Sequence, residues 1–145
     1  MKNSQKITRV QLQNNHIESV ALFGIVSSEP DYKLSQSINK KFRISLKNIS
    51  PVVVKGISNE LTFSRFSDIS KSHDITYNLI SNRTIKAFLL KKLKNVDYIF
   101  HVEDPYAEDN KGKISSSLKE IESITAVFNI DPKLFKDKDL QYLTH

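Results

Sequence analysis

Two aspartate–tyrosine pairs are the residues of this sequence best suited by type to hold a ligand. The pairs are Asp31 with Tyr32 and Asp97 with Tyr98. A carboxylate next to a phenol can bind a ligand or relay a proton. In folded proteins such residues more often form structural hydrogen bonds, with the tyrosine ring buried and its hydroxyl paired. The pattern therefore favours a structural role, and a small-ligand-binding regulatory site at these four residues is an alternative.

Two short basic clusters are candidate contacts for nucleic acid. The chain has 22 lysine and arginine residues against 16 acidic residues, which gives a formal net charge of +6. Such an excess attracts polyanions. The densest groups are Lys40, Lys41 and Arg43, and Lys91, Lys92 and Lys94. These residues define a nucleic-acid-binding alternative, although a mild excess spread along the chain is more typical of a solubility role.

Aromatic residues in predicted strands bear on the same alternative. A sheet that binds RNA presents aromatic side chains on its central strands. Phe63, Phe66 and Tyr77 lie in predicted strands, but the chain has no tryptophan and no glycine–aromatic string of the RNA-binding type. Packing in a hydrophobic core therefore explains these aromatic residues better than base stacking does.

Most familiar catalytic and cofactor sites are excluded by residue type. The chain has no cysteine and three glycines, and it contains no glycine-rich phosphate loop, HExxH zinc motif or GxSxG nucleophile motif. His101, Glu103 and Asp104 form one row of candidate metal ligands. Solvated acids at a strand end explain this row better. We therefore predict no enzyme activity, no cofactor and no metal.

Alternating apolar residues predict the strands that would position these groups. The clearest strand covers 96–102, where Val96, Tyr98, Phe100 and Val102 share one face and indicate an interior position. The other predicted strands cover residues 20–27, 42–49, 61–66, 75–80 and 125–130, with weaker ones over 52–54 and around Ile7 to Leu12. We expect 61–66 and 75–80 to form a hairpin. We expect Ser50-Pro51 to end the strand over 42–49, and the strand over 125–130 to be well covered by other parts of the chain.

Apolar residues at helical spacing predict two helices. The first contains Leu34, Ile38 and Phe42 and follows the hydroxyl, proline and acidic residues of 27–31, which are typical of a helix start. The second follows a polar loop over 105–113, includes a match to a capping box over 117–120, and contains Ile114, Leu118, Ile121 and Ile124 at helical spacing. Residues 85–92 fit either a short helix or an irregular crossover.

The order of these elements predicts one α+β domain over residues 1–145. Its mainly antiparallel sheet would carry two main helices on one face, in a ferredoxin-like or related sandwich. Gly24, inside the strand over 20–27, would allow a close backbone approach or lie as a small residue beneath a helix. We expect residues 1–15 and 136–145 to be loosely attached.

The segment Asn95-Val96-Asp97-Tyr98, after a stretch rich in leucine and lysine, resembles the signature of the small bacterial IPExxxVDY family. Further segments resemble that family in the same order: Phe23-Gly24-Ile25, Asp31-Tyr32-Lys33-Leu34 with Ile38-Asn39, Leu79-Ile80-Ser81-Asn82, and Ile124-Thr125-Ala126-Val127-Phe128. The Ile-Pro-Glu triplet would fall on Leu90-Lys91-Lys92, so only Val96-Asp97-Tyr98 is retained. The resemblance implies a bacterial protein and a single small domain, and it transfers no catalytic residue.

The function that these observations favour is a non-enzymatic interaction domain. The first 15 residues lack a signal-peptide core, and the longest apolar run, residues 20–26, is far too short to span a bilayer. We therefore expect a soluble, cytoplasmic protein without a membrane partner. It would act through protein contacts, as a homodimer joined by a sheet face or a sheet edge, with nucleic-acid binding and small-ligand binding as alternatives.

Overall fold

The computed structural model describes residues 19–56, 59–70 and 74–144 of the chain. The predicted strand around Ile7 to Leu12 and the predicted loose attachment of residues 1–15 lie outside these residues. The strands are β1 Val20–Val26, β2 Lys47–Lys55, β3 Glu60–Asp68, β4 Thr76–Ser81, β5 Tyr98–Glu103 and β6 Ala126–Ile130. The helices are α1 Asp31–Phe42, α2 Ala107–Lys119 and α3 Asp137–Thr144, with a short 3₁₀ helix, Pro132–Leu134, before α3.

The strands form one open, six-stranded sheet in the order β2-β3-β4-β5-β1-β6. Every pairing of neighbouring strands is antiparallel. This confirms the predicted α+β class, the hairpin of β3 and β4, and the interior position of β5. The ferredoxin-like description fits only loosely.

Helices α1 and α2 cover one face of the sheet, as predicted. Leu34 and Ile38 of α1 and Leu118 of α2 pack with Phe23 and Phe100 in one hydrophobic core. Phe66 also lies in this core, and the ring of Tyr77 stacks on that of Phe100 at a centroid distance of 5.9 Å. Phe63 is buried in the core on the opposite face. Core packing therefore accounts for the three aromatic residues that a base-binding sheet would expose.

The opposite face of the sheet is covered by an irregular segment, residues 82–97, which we call the crossover. Leu90 and Val96 of the crossover pack with Ile80 and Ile99 of the sheet, and Leu143 of α3 joins them. At Gly24 the crossover comes very close, because a Cβ atom there would lie 2.8 Å from Cγ2 of Val96. Glycine is therefore required in β1 by the packing of Val96, not by a helix above it.

The crossover is not a helix, and the buried side chain of Asn82 explains its path. The Asn82 amide donates to the carbonyl oxygens of Leu93 and Val96, both at 2.9 Å, and its Oδ1 accepts from the backbone N–H of Leu90 at 2.8 Å. Asparagine side chains offer the backbone such alternatives to helical hydrogen bonds. Here one side chain satisfies three backbone groups of an irregular segment.

Two predictions about strands are wrong. Strand β2 begins at Lys47 and continues through Ser50-Pro51 to Lys55, with a register shift between Ile49 and Val52. Proline is tolerated there because β2 is an edge strand of the described sheet, where a residue at a bulge needs no N–H for the ladder. Strand β6 is the other edge of the described sheet, and Phe128 on it is exposed rather than well covered.

The predicted start of the second helix is also wrong. Helix α2 begins at Ala107, inside the predicted polar loop, and ends at Lys119, within the supposed capping box. Asp104 explains the early start. Its carboxylate accepts from the backbone N–H of Tyr106 at 2.8 Å and from Nδ2 of Asn110 at 3.0 Å, so it ties down the first turn.

A row of polar side chains crosses the sheet on the crossover side, through Ser67, Asn78 and His101 on neighbouring strands. The Ser67 hydroxyl donates to Oδ1 of Asn78, and Nδ2 of Asn78 lies 3.3 Å from Nδ1 of His101. An amide nitrogen only donates, so Nδ1 accepts and the proton of the imidazole lies on Nε2. His101 is only 2% exposed, and burial lowers its pKa to about 4.

His101 should make the protein less stable in mild acid. The unfolded chain binds a proton on this histidine below its ordinary pKa of 6.5, whereas the folded chain does so only near 4. The free energy of unfolding should therefore fall by about 3 kcal/mol from this group as the pH drops from 6.5 to 4. Urea unfolding of the wild type and of His101→Gln across this range measures the difference. Identical pH dependence in the two proteins would contradict the assignment.

Candidate functional site

Asp97, the retained acid of the family-like motif, joins three segments of the chain. Its Oδ2 accepts from the backbone N–H of Ser27 at 3.0 Å, and its Oδ1 forms an ion pair with Nη2 of Arg83 at 2.7 Å. The backbone N–H of Asp97 donates to the carbonyl oxygen of Ile25 at 2.9 Å. The carboxylate thus connects the end of β1, the crossover and the start of β5.

Tyr98 ties the same region to the start of α1. Its hydroxyl donates to the carbonyl oxygen of Glu29 at 2.6 Å. Burial, reinforced by the negative charges of Asp31 and Asp97, raises the pKa of Tyr98 to about 12. The structure therefore brings Asp31, Asp97 and Tyr98 together, while Tyr32 is 53% exposed. The hydrogen bonds of Asp97 and Tyr98 support the structural interpretation, and a ligand site at the four residues stays a prediction.

The two basic clusters lie on different faces of the sheet. Lys40 and Lys41 occupy the last turn of α1, Arg43 caps that helix, and Lys41 forms an ion pair with Glu120. Lys91, Lys92 and Lys94 belong to the crossover on the opposite face. The structure therefore does not combine the six residues into one basic patch.

The crossover lysines instead border a groove of about 500 Å³, which we call the lysine groove. Five lysines line it, from β2, the crossover and the C-terminal segment: Lys55, Lys91, Lys92, Lys136 and Lys138. Among the described lining residues Asp139 is the acidic one. The apolar part of the lining comprises Val54, Leu61, Phe63, Phe88, Leu89, Leu90, Phe135 and Tyr142. Lys94 lies outside this lining.

Contacts within the groove fix one lysine and leave the others available. Lys92 Nζ donates to the carbonyl oxygen of Leu134 at 3.2 Å and lies 6.0 Å from the centroid of the Phe135 ring. Within the described part of the chain, Lys91, Lys136 and Lys138 form no ion pair. Positive charges gathered around an apolar floor attract an anion more strongly than the same charges scattered over a surface.

Sequence reasoning located Lys91 and Lys92 but missed the rest of the groove. Lys55, Lys136 and Lys138 are far from them in the chain, and no local pattern connects these positions. Their convergence depends on the crossover lying over the sheet and on α3 packing beside it through Leu143. The basic cluster over 91–94 was the one feature of the sequence that pointed to the groove.

The residues considered as metal ligands from the sequence have structural roles or stand apart from one another. Asp104 accepts hydrogen bonds from Tyr106, just before α2, and from Asn110 within it, and His101 lies in the buried polar row. Over residues 19–56, 59–70 and 74–144, no group of three or more histidine, aspartate or glutamate side chains could hold a metal ion. In the same residues no helix has the length and apolar character needed to cross a membrane.

Comparison with models of known protein families finds no match for this chain, and neither does comparison with curated proteins. The resemblance to the IPExxxVDY family therefore stays a prediction. The structure gives physical roles to the retained residues of that motif, since Val96 packs on Gly24 while Asp97 and Tyr98 bind the start of the α1 segment.

Replacing Asp97 with alanine should lower the free energy of unfolding by about 2 kcal/mol, because the Ser27 N–H loses its acceptor. Arg83→Ala should cost less than about 1 kcal/mol, since the Arg83 side chain is 56% exposed. Urea unfolding measures both, with the exposed Glu122→Ala as a control. A loss for Asp97→Ala no larger than that for Arg83→Ala would contradict the structural role of the carboxylate.

Proposed function

We propose that this domain is a non-enzymatic binding module whose lysine groove holds an acidic segment of a partner protein. The observation that carries the proposal is the convergence of five lysines, from three separate parts of the chain, on one apolar-floored groove. Acidic side chains would meet the lysines, and apolar side chains of the same segment would be buried on the floor. Such complementarity of charge and apolar surface is typical of protein interfaces.

A protein segment suits the groove better than a nucleic acid strand does. Proteins that bind single strands stack bases on free aromatic ring faces. In the groove Lys92 lies over the Phe135 ring, and Phe63 is buried beneath the surface. The groove therefore offers charge and apolar area, and two of its four aromatic rings, those of Phe63 and Phe135, are already engaged. Nucleic-acid binding is kept as an alternative, and the competition experiment with RNA described below tests it.

Self-association remains part of the proposal as a separate property. The crossover and α3 cover Ile80 and Ile99, on the sheet face that a second copy was expected to cover. The edge strands offer other surfaces, since Val53 on β2 and Phe128 on β6 are exposed. A homodimer would therefore join through an edge. The bacterial and cytoplasmic setting inferred from the sequence also belongs to the proposal.

Binding can be measured by fluorescence anisotropy with a short labelled peptide of alternating glutamate and leucine. Reversing two groove charges, Lys91→Glu with Lys138→Glu, should weaken binding about a hundredfold, because close charge pairs become repulsive. The matched control reverses two exposed lysines of α1 on the opposite face, Lys33→Glu with Lys40→Glu, and should change the affinity by less than about threefold.

Two further arms separate the alternatives. A peptide with serine in place of leucine should bind about tenfold more weakly, since it buries no apolar surface on the groove floor. An oligouridine of equal charge should compete poorly with the glutamate–leucine peptide. If reversing either lysine pair weakened peptide binding equally, the net charge of the protein would explain the binding and the groove would not. Strong competition by the RNA would favour a nucleic-acid function. Light scattering on the same samples measures self-association.

A further inference from the structure

A second cavity, of about 220 Å³, lies on the crossover side of the sheet and shares no lining residue with the lysine groove. We call it the polar cleft. Its polar lining comprises Arg65, Ser67, Thr76, Asn78, His101 and Glu103, from strands β3, β4 and β5, and the apolar side chains of Ile49 and Ile69 complete the lining. Side chains that project from paired strands of a rigid sheet hold their positions well, which suits a binding site.

Arg65 brings a buried positive charge to the cleft without a carboxylate partner. Its side chain is 8% exposed, and its Nε donates to the carbonyl oxygen of Ser50 at 3.1 Å. Among the described residues no acidic side chain forms an ion pair with it. A buried charge without a partner is costly. The remaining N–H groups of the guanidinium have the planar geometry that binds a carboxylate through two hydrogen bonds.

His101 adds a neutral hydrogen-bond donor to the same cleft. Because its Nδ1 accepts from Asn78, its proton lies on Nε2. No described residue accepts a hydrogen bond from this Nε2. The Ser67 hydroxyl donates to Oδ1 of the same Asn78 amide. The cleft thus contains a cationic donor and a neutral donor, both suited to an oxyanion.

The negative charge of Glu103 limits which anions the polar cleft can bind. Its carboxylate lines the cleft and is half-buried, and its side chain forms no ion pair with the described residues. A negative charge at that position repels a dianion such as phosphate, and it accepts hydrogen bonds from an ammonium or a hydroxyl group.

We propose that the polar cleft binds a small amino acid or hydroxy acid. The ligand carboxylate accepts hydrogen bonds from Arg65 and His101, and its amino or hydroxyl group donates to Glu103. This proposal does not depend on the lysine groove, because the two cavities have no residue in common.

NMR titration of the labelled protein tests the proposal, with the side-chain signals of Arg65 Nε and the His101 ring as reporters. L-serine and L-lactate should shift both signals saturably at millimolar concentration, and propionate, which lacks the second polar group, should bind about tenfold more weakly. Arg65→Gln should abolish the shifts. The absence of saturable shifts with every ligand, or tighter binding of inorganic phosphate than of L-serine, would overturn the proposal.

A second variant keeps the test decisive if Arg65→Gln is unstable. Glu103→Gln removes one negative charge from a side chain without an ion pair, so the fold should persist. It should weaken L-serine binding about tenfold and strengthen phosphate binding, because attraction to the ammonium and repulsion of the dianion are both lost. Glu108→Gln, on the outer surface of α2, is the matched control and should leave both affinities unchanged. Unchanged affinities in Glu103→Gln would contradict the assigned orientation.

Discussion

The structure depends on the buried side-chain amide of Asn82. A long segment without regular secondary structure lies over one face of the sheet, and its backbone groups need hydrogen-bond partners there. Asn82 supplies three of them through Leu90, Leu93 and Val96, and its own backbone N–H donates to the carbonyl oxygen of Asp97. One polar residue therefore allows an irregular segment to bury Leu90 and Val96 against the sheet.

The residues at the end of the crossover and the start of β5 contact β1 and the segment before α1. Val96 packs against Gly24 of β1, so a larger residue at position 24 would displace the segment. Asp97 and Tyr98 then bind the backbone of Ser27 and Glu29, just before α1. The same few residues connect the two cores, one beneath the helices and one beneath the crossover. A structural need is thus sufficient to explain why valine, aspartate and tyrosine occur together here.

Sequence periodicity was enough to predict β1, the β3–β4 hairpin, β5 and α1, because each has a long apolar pattern with clear flanking residues. It misplaced the start of α2, whose polar first turn is held by hydrogen bonds to Asp104, and it ended a strand at Ser50-Pro51 although proline is compatible with an edge strand of the described sheet. Lys91 and Lys92 were recognised as a local cluster, but the lysine groove was not. Neither was the environment of Arg65 and His101, because contacts between strands and between distant segments leave no local pattern.

Both proposed sites lie on the face that the crossover partly covers, and the wall of the lysine groove is the crossover itself. The central claim is therefore that Asn82 holds this segment in one conformation. Amide hydrogen exchange of the wild type and of Asn82→Ala, followed by NMR, tests it most directly. The amides of Leu89, Leu90 and Val96 should lose about a hundredfold of their protection, while those of Phe23 and Phe100 in the central strands should keep theirs. Unchanged protection in the crossover, or an equal loss in the central strands, would contradict it.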